Sequence, residues 1–429
     1  MVTKAILETS LDGLGRLHTT PIFPCSIFKL KRGCNRAPGD PNYDLYQLAL
    51  KSTAQRLYPN YANVDWSGNA GYDPNDPRTE FSTMGCRTAN GFDINGFGQL
   101  KDGRGNICPV TIILPTIAMY VKEELEADGL DFAQAPDDVI INAFLAKLDT
   151  YINDAKDMLI ERFNYIASQS PSSAPFMYQN DTMAGFDGQT VLSAIKHGTL
   201  ALGQLGMAEA LQILIGCDHT TERGMDAAKR IEQLFKDRCA QYKQEYHLNF
   251  GVYFTPAENL CYTAMAKFRD RYGEIENVSD KLFFTNSTHV PVWAHVDPFE
   301  KIDIESQLTG YSSAGCITYV ELDSTAKNTL SALETLVNYA MDKDVPYFAI
   351  NVPNDTCMSC GYTDELDDTC PMCGGHEIQR LRRVTGYLTG NYTTAFNKGK
   401  QQEVTMRFQH TKLSPLFHEG GSATEDCDC

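Results

Sequence analysis

Four cysteines near the end of the chain constrain its structure more than any other sequence feature. They form two Cys-x-x-Cys pairs, Cys357 with Cys360 and Cys370 with Cys373, and nine residues separate the pairs. This spacing brings four thiolates around one tetrahedral metal ion, as in a zinc ribbon. Because sulfur fills all four positions, none remains for water or substrate, and we predict structural rather than catalytic zinc.

The composition of the whole chain limits its functional class. Its 429 residues allow two or three domains or one large α/β domain, and 42% hydrophobic content is that of a globular protein. The net charge of −18 repels phosphate backbones, and no run of Lys and Arg forms a basic patch, so no nucleic-acid partner is expected. We also expect a cytoplasmic protein without a membrane partner. The N-terminal segment lacks a signal pattern, and no apolar run approaches the roughly 20 residues that a membrane span needs.

Hydrophobic periodicity predicts alternating strands and helices. Residues 1–115 contain short apolar runs, such as 22–24 and 110–114, between long loops that typically line an active site. Helices are expected within 116–172 and near 202–215, 222–245, 257–272 and 326–343. Further strands are expected around 253–254, 282–284, 317–320 and 347–350. This alternation predicts an α/β fold with a parallel or mixed sheet and catalytic loops at strand ends.

A glycine segment follows the cysteines closely. Residues 383–388 read Arg-Val-Thr-Gly-Tyr-Leu, and Phe-Asn-Lys-Gly-Lys at 396–400 and Glu403 lie downstream. By itself, Gly386 would be an ordinary turn glycine. Beside a metal cluster at the end of a long, enzyme-like chain, Gly386 is instead a candidate catalytic glycine whose position the metal site fixes.

This segment resembles the glycyl-radical signature of the anaerobic (class III) ribonucleoside-triphosphate reductases, a family with a four-cysteine zinc ribbon just before its radical loop. By resemblance, Gly386 would store the radical. A radical at a glycine α-carbon is shared with the flanking amide and carbonyl and needs a planar centre that a side chain would disfavour. Thr385 stands where many members have Cys or Ser, a change that should not block the chemistry. The resemblance extends from about residue 10 to 412. Its other motifs are Thr19–Pro24, Leu57–Asn60 with Asp65 and Trp66, Gly103–Asn106, Thr255–Glu258 and Asn286–Pro291.

The resemblance also implies where the radical acts. Residues 82–88, Ser-Thr-Met-Gly-Cys-Arg-Thr, resemble the family's finger loop, in which Cys86 would form a thiyl radical and take the ribose 3′-hydrogen. The alternative for Cys86 is a small buried hydrophobic residue, as is usual for a free cysteine. By resemblance, Met84 and Thr88 flank the substrate, and Asn106 lies near the asparagine associated with formate as reductant.

The implied fold is the C-terminal part of the ten-stranded α/β barrel of glycyl-radical enzymes. We expect a partial barrel with the finger loop at 1–350, the zinc ribbon at 351–378, the glycyl radical loop at 379–412 and a flexible acidic tail at 413–429. Full-length members are longer at the N-terminus. The chain is therefore expected to be part of a split or truncated reductase that a separate N-terminal reductase fragment completes.

The implied reaction belongs to deoxyribonucleotide biosynthesis. Ribonucleoside triphosphates would be the substrates, with formate or a thioredoxin-type protein as reductant. An iron–sulfur activating enzyme that uses S-adenosylmethionine (radical SAM) would create the radical, and the completed enzyme is expected to be a homodimer.

Two other interpretations stay open. Among other glycyl-radical enzymes, acyltransferases use adjacent cysteines, which this chain lacks, and dehydratases lack the ribbon. A non-catalytic zinc-ribbon protein is the third possibility. His289 is expected to be structural, since no carboxylate partner is evident, and Cys427 and Cys429 could either shuttle electrons or simply be solvated.

Overall fold

The computed structural model describes residues 1–85 and 87–417. Its strands are β1 (Ile27–Leu30), β2 (Asn60–Asn63), β3 (Thr83–Met84), β4 (Thr88–Ala89), β5 (Asn106–Ile113), β6 (Thr199–Leu205), β7 (Asn249–Tyr253), β8 (Thr318–Glu321), β9 (Tyr347–Asn351), β10 (Asn354–Cys357), β11 (Thr363–Asp364), β12 (Ile378–Val384) and β13 (Tyr387–Thr389). Its α-helices are α1 (Val2–Asp12), α2 (Tyr43–Arg56), α3 (Leu114–Ala127), α4 (Asp137–Ala167), α5 (Pro175–Gln179), α6 (Val191–Ile195), α7 (Met207–Ile215), α8 (Glu222–Tyr246), α9 (Leu260–Tyr272), α10 (Pro298–Thr309), α11 (Leu330–Asp342), α12 (Tyr392–Ala395) and α13 (Lys398–Met406).

The large strands form two sheets, with strand orders β5–β6–β7 and β1–β2–β9–β8, which an isolated bridge connects. Strands β5, β6 and β7 pair in parallel, and a parallel bridge between Tyr253 and Gly315 leads to the segment that enters β8. Strand β8 pairs in parallel with β9, which pairs antiparallel with β2, and β2 pairs in parallel with β1. All residues of β6, β7 and β9 are buried, as expected for parallel strands covered on both faces.

Helices pack on these sheets around two apolar cores. In the larger core, Phe144 and Leu148 of α4 and Phe235 of α8 join the side chains of β6 and β7. In the second core, α2 and α11 cover β1, β2, β8 and β9. Thr221 caps the N-terminus of α8, where its hydroxyl accepts a hydrogen bond from the Gly224 amide.

A separate small sheet carries the cysteine and glycine segments. Its strand order is β11–β10–β12–β13, and every pairing is antiparallel. Strand β12 begins at residue 378, the last residue of the predicted ribbon, and continues into the predicted radical loop. Both segments are therefore parts of one hydrogen-bonded unit.

The α/β prediction is confirmed, but several predicted elements are wrong. Residues 202–205 lie in β6 instead of a helix, since a buried parallel strand and a buried helix segment look alike over such a short run. Residues 22–24 and 282–284 form no strand, and α1 and α2 lie where short strands and loops were expected. The helices predicted within 116–172 and near 222–245 are confirmed as α3, α4 and α8.

A helix that crosses a bilayer must be both long and apolar. Within residues 1–85 and 87–417, no helix has both the length and the apolar character needed to cross a bilayer.

Candidate functional site

The four cysteines of the ribbon converge on one point. Their sulfur atoms all lie within 4.8 Å of one another, with Cys357 and Cys370 buried and Cys360 and Cys373 exposed. A glycine with positive φ follows each pair, Gly361 at 80° and Gly374 at 72°, in backbone turns that favour residues without a side chain. The donor set fits a tetrahedral metal ion such as zinc.

Strand pairing links this cluster to the glycine. Cys357 on β10 is in register with Ile378 at the start of β12, and β12 continues to Val384, which pairs with Tyr387 across a two-residue turn. The turn consists of Thr385 and Gly386. A metal ion that holds the cysteines would therefore also hold the base of the glycine hairpin.

The turn before the glycine is strained. Thr385 has φ of 54°, in the left-handed region that a β-branched residue rarely adopts. Such strain costs about 1–3 kcal/mol and is usually retained only where the surrounding contacts enforce it. The Tyr319 hydroxyl donates a 2.8 Å hydrogen bond to the Thr385 carbonyl, and Thr385 itself is buried.

Arginines hold the hairpin from its two faces. Arg383 is buried and donates to Asn351 Oδ1 at 2.7 Å and to Asn60 Oδ1 at 2.6 Å, so it connects the hairpin to β9 and β2. Arg382 forms a bidentate pair with the buried carboxylate of Asp355. Hydrogen bonds of this charge-assisted kind are the stronger ones in proteins.

The segment with the predicted thiyl cysteine is a small hairpin. Met84 and Thr88 pair across it in β3 and β4, and Gly85 has φ of 54°. Cys86 lies outside the described residues. The adjacent Arg87 is 0% exposed and donates through Nη1 to the Phe254 carbonyl at 3.2 Å and to Asn286 Oδ1 at 3.1 Å.

One side chain joins the two hairpins. The Arg87 guanidinium lies 5.8 Å from the centre of the Tyr319 ring, and the Arg383 guanidinium lies 5.7 Å from the same ring. The hydroxyl of that tyrosine bonds to Thr385. Tyr319 thus contacts the direct neighbours of Cys86 and Gly386, residues that lie about three hundred positions apart in the sequence. Nothing in the local sequence around Tyr319 indicates this position.

The remaining predicted site residues are more dispersed. The Thr88 hydroxyl hydrogen-bonds the Tyr253 hydroxyl at 2.8 Å, whereas Asn106 begins β5 and pairs with Thr199. Among the hydrogen bonds of the described residues, none connects Asn106 to Met84 or Thr88. The Asn106 side-chain oxygen is buried and has no hydrogen-bond partner among the described residues.

A buried ionic network beside Tyr319 escaped sequence analysis. His289 Nδ1 lies 3.2 Å from Glu305, so the expectation that His289 lacks a carboxylate partner is wrong. Burial lowers the pKa of His289 and favours its neutral form. Although burial opposes ionisation of Glu305, Lys301 at 3.2 Å, followed by His289, holds the pKa of that carboxyl well below its usual range. We therefore regard Lys301, rather than His289, as the positively charged partner of Glu305.

A second group of buried ion pairs, centred on Arg407, also lies beside Tyr319. Arg407 contacts Glu321 at 3.2 Å and Glu403 at 3.1 Å, and all three side chains are almost completely buried. With Tyr319 and Thr385 they line a narrow cavity of about 30 Å³. Glu403 belongs to the sequence motif downstream of Gly386. Through this cavity the motif lies beside the glycine hairpin.

Sequence comparison gives a family match over almost the whole chain. The profile of the family described as "Anaerobic ribonucleoside-triphosphate reductase" matches residues 1–410. Curated proteins of that name from Haemophilus influenzae and Escherichia coli are 33% and 34% identical, each over 96% of this chain and 56% of their own length. The counterpart from Enterobacteria phage T4 is 32% identical over 96% of this chain and 66% of its own length. The chain thus spans a little over half the length of the first relatives that it matches.

Structural comparison shows the same fold. The anaerobic ribonucleotide reductase from Thermotoga maritima, in complex with dATP and CTP, superposes with a TM-score of 0.61 at 21% identity, over 90% of this chain and 57% of that one. The B12-independent glycerol dehydratase from Clostridium butyricum gives a TM-score of 0.62 at 13% identity, over 90% and 52%. At these identities the likeness concerns the fold alone.

Proposed function

Because the chain belongs to the anaerobic ribonucleoside-triphosphate reductase family, we propose that it performs the radical steps of ribonucleotide reduction, with Gly386 storing the radical and Cys86 using it. The observation that carries this proposal is the Tyr319 junction. Its ring lies beside Arg87 and its hydroxyl bonds to Thr385, so the neighbours of both residues meet at one side chain. This contact supports a short path between the glycine and the cysteine.

The proposed chemistry begins with a hydrogen atom transfer. The Gly386 radical takes the hydrogen of the Cys86 thiol, which restores the glycine C–H bond and leaves a thiyl radical on sulfur. The thiyl radical takes the ribose 3′-hydrogen, and the 2′-hydroxyl then leaves as water after protonation. The reductant supplies two electrons, a proton completes C2′, and Cys86 returns the 3′-hydrogen.

The substrate and the reductant are assigned from the family resemblance and from the positions of Met84, Thr88 and Asn106 in the fold. We propose that a ribonucleoside triphosphate binds along the small hairpin, where Met84 and Thr88 flank it. The unpartnered side-chain oxygen of Asn106 suits a small polar co-substrate. Formate, oxidised to carbon dioxide, or a thioredoxin-type dithiol, oxidised to a disulfide, supplies the electrons.

Further polypeptides belong to the proposal. A radical-SAM activating enzyme removes a hydrogen atom from Gly386, which is only partly buried. Within the described residues, β1 pairs only with β2 and β5 only with β6, so each of these outer strands has an edge without a strand partner, which favours pairing with further strands. We propose that an N-terminal reductase segment completes a ten-stranded barrel there and that the completed enzyme forms a homodimer.

The metal ion is proposed to be structural zinc bound by Cys357, Cys360, Cys370 and Cys373. Its role is to fix the small sheet from which the glycine hairpin extends. The paired substitution Cys357→Ser with Cys370→Ser is expected to reduce bound zinc from about one ion per chain to a small fraction, because a structural site needs all four ligands. Elemental analysis after dialysis measures the metal.

Hydrogen exchange tests the positional role of the zinc. We expect amides of β12 to exchange at least about tenfold faster in the double variant, while those of β6 keep their wild-type rates. The partly buried Cys34 lies outside the cluster, and Cys34→Ser is the matched control. Unchanged zinc content, or unchanged exchange in β12 after zinc loss, would contradict this role.

Electron paramagnetic resonance tests the function as a whole. The full chain, with its completing segment and activating enzyme, is activated without oxygen. The expected signal is a doublet from the single α-hydrogen of glycine, which collapses when the protein contains α-deuterated glycine. Conversion of ribonucleoside triphosphates to deoxyribonucleotides is measured in the same sample. A signal indifferent to glycine labelling, or a glycine doublet without deoxyribonucleotide formation, would overturn the proposal.

A further inference from the structure

A cavity of about 340 Å³ lies beside the base of the small hairpin. Its walls come from distant parts of the chain, which include Trp66 and Asn69 after β2, residues 89–92 at the end of β4, the C-terminal half of α8 and the loop 310–313. It begins directly after Thr88, the proposed substrate contact. None of its lining residues belongs to the cysteine cluster or the glycine hairpin.

Four basic side chains line this cavity. They are Lys101, Arg104, Lys236 and Lys243. Burial, followed by the charges of Arg104 and Lys243, lowers the pKa of Lys101 to about 8, and burial also lowers the pKa of Lys243. These shifts indicate that the cations share a partly desolvated space in which their mutual repulsion is felt.

Among the described residues no carboxylate lines the cavity, although the charge of Asp93 acts on Arg104 and Lys243. Asp93 accepts a 2.6 Å hydrogen bond from Asn249 and lies 2.8 Å from His197 Nδ1. Lys101 and Lys243 bond instead to neutral oxygens, the Gln99 side chain at 2.9 Å and the Phe92 carbonyl at 3.3 Å. The cavity therefore carries more positive than negative charge, although the chain as a whole has a net charge of −18.

Buried polar atoms that line the cavity are unsatisfied. Arg104 is 7% exposed and donates through Nε to the His197 carbonyl and through Nη1 to the Gly91 and Leu100 carbonyls, at 2.7 to 2.9 Å. Its Nη2 has no partner among the described residues. The Trp66 Nε1–H donor is likewise buried without a partner among these residues, whereas the unpartnered Asn69 Oδ1 is an acceptor that an anion would not satisfy. Unpaired buried donors are costly, which is a reason to expect a ligand that pairs with them.

We propose that this cavity binds a small polyanion of the phosphate class. Several converging cations and an unpartnered guanidinium nitrogen match the oxygens of a di- or triphosphate better than a single carboxylate. The phosphates belong either to the tail of the nucleotide whose ribose lies at Thr88 or to a separate phosphorylated effector. Only the first source rests on the proposed function, since binding itself requires no radical.

Inorganic tripolyphosphate is the probe, titrated into the full chain by calorimetry without activation. We expect saturable binding of one equivalent, weakened at least about tenfold by Lys101→Gln or by Lys243→Gln, which corresponds to about 1.4 kcal/mol each. Lys229→Gln is the control, because Lys229 lies on α8, like Lys243, but outside the cavity. Its affinity for tripolyphosphate is expected to stay within about twofold of wild type.

Tryptophan fluorescence measures binding independently of the lysine variants, which could fail to fold. The chain contains two tryptophans, Trp66 and Trp293, so Trp293→Phe leaves the fluorescence of the cavity residue alone. Tripolyphosphate is expected to change that fluorescence with the affinity measured by calorimetry. Absence of saturable binding, or equal affinity in the two cavity variants and the control, would overturn the site.

Competition separates the two sources of phosphate. If a ribonucleoside triphosphate displaces tripolyphosphate, and Thr88→Val weakens only the nucleotide, the cavity holds the tail of the substrate. If both ligands bind at once, the cavity holds a separate effector. Either result supports the anion site. Calorimetry and fluorescence need no radical, so their results would stand even if the radical chemistry failed. The anion site and the proposed function can therefore be rejected separately.

Discussion

Replacing Gly386 with alanine is expected to abolish the radical signal and to lower deoxyribonucleotide formation at least about a thousandfold, which corresponds to about 4 kcal/mol of activation free energy. The added methyl group disfavours the planar centre over which the unpaired electron is shared. It also removes one of the two α-hydrogens from which the activating enzyme could choose. Spin quantification after anaerobic activation measures the first effect, and product analysis measures the second.

A second glycine of the same hairpin region provides the matched control. At Gly390 an added Cβ meets the end of the Gln379 side chain at 2.8 Å, which can rotate away at little cost. Gly390→Ala should therefore keep the doublet and most of the activity. Two results would contradict the assignment of Gly386: a normal doublet in Gly386→Ala, or equal losses in both variants.

Substitution of Cys86 by serine is expected to separate radical storage from radical use. The O–H bond of serine is too strong for a glycyl radical to break, so the radical should remain on Gly386 while turnover falls at least about a thousandfold. Activated Cys86→Ser should thus show a wild-type doublet that persists when substrate is added. The measurement is the same pair of assays, spin quantification and product analysis.

Cys217→Ser is the control for this substitution. Cys217 is a free, partly buried cysteine just after α7, and the same exchange there should leave turnover within about twofold of wild type. Loss of the doublet itself in Cys86→Ser would indicate that Cys86 supports the glycine rather than reacting with substrate. Retained turnover would exclude the thiyl role.

The secondary structure could be predicted only in part. Helices α4 and α8 are long and strongly periodic, so their apolar stripes identify them. Strand β6 was mistaken for part of a helix because all seven of its residues are buried, which removes the alternation that marks a strand. Helix α2 escaped prediction because its apolar face is short and it lies among loop-like segments.

The chemistry carried by local spacing could be determined from the sequence alone. Two Cys-x-x-Cys turns are built from neighbouring residues, so their spacing already defines the four-cysteine cluster, whereas the radical role of Gly386 came from resemblance. The roles of Cys86 and Asn106 also came from resemblance and remain predictions, of which the substitution of Cys86 tests the first.

Only the tertiary structure decided how these parts are connected. The Tyr319 junction, the pairing of His289 with Glu305 and the basic cavity all join residues far apart in the chain. Sequence analysis found no basic patch because the cations at 101, 104, 236 and 243 come from separate segments that only folding brings together. A contact between distant segments has no local pattern, since it depends on how strands and helices pack rather than on the spacing of neighbours.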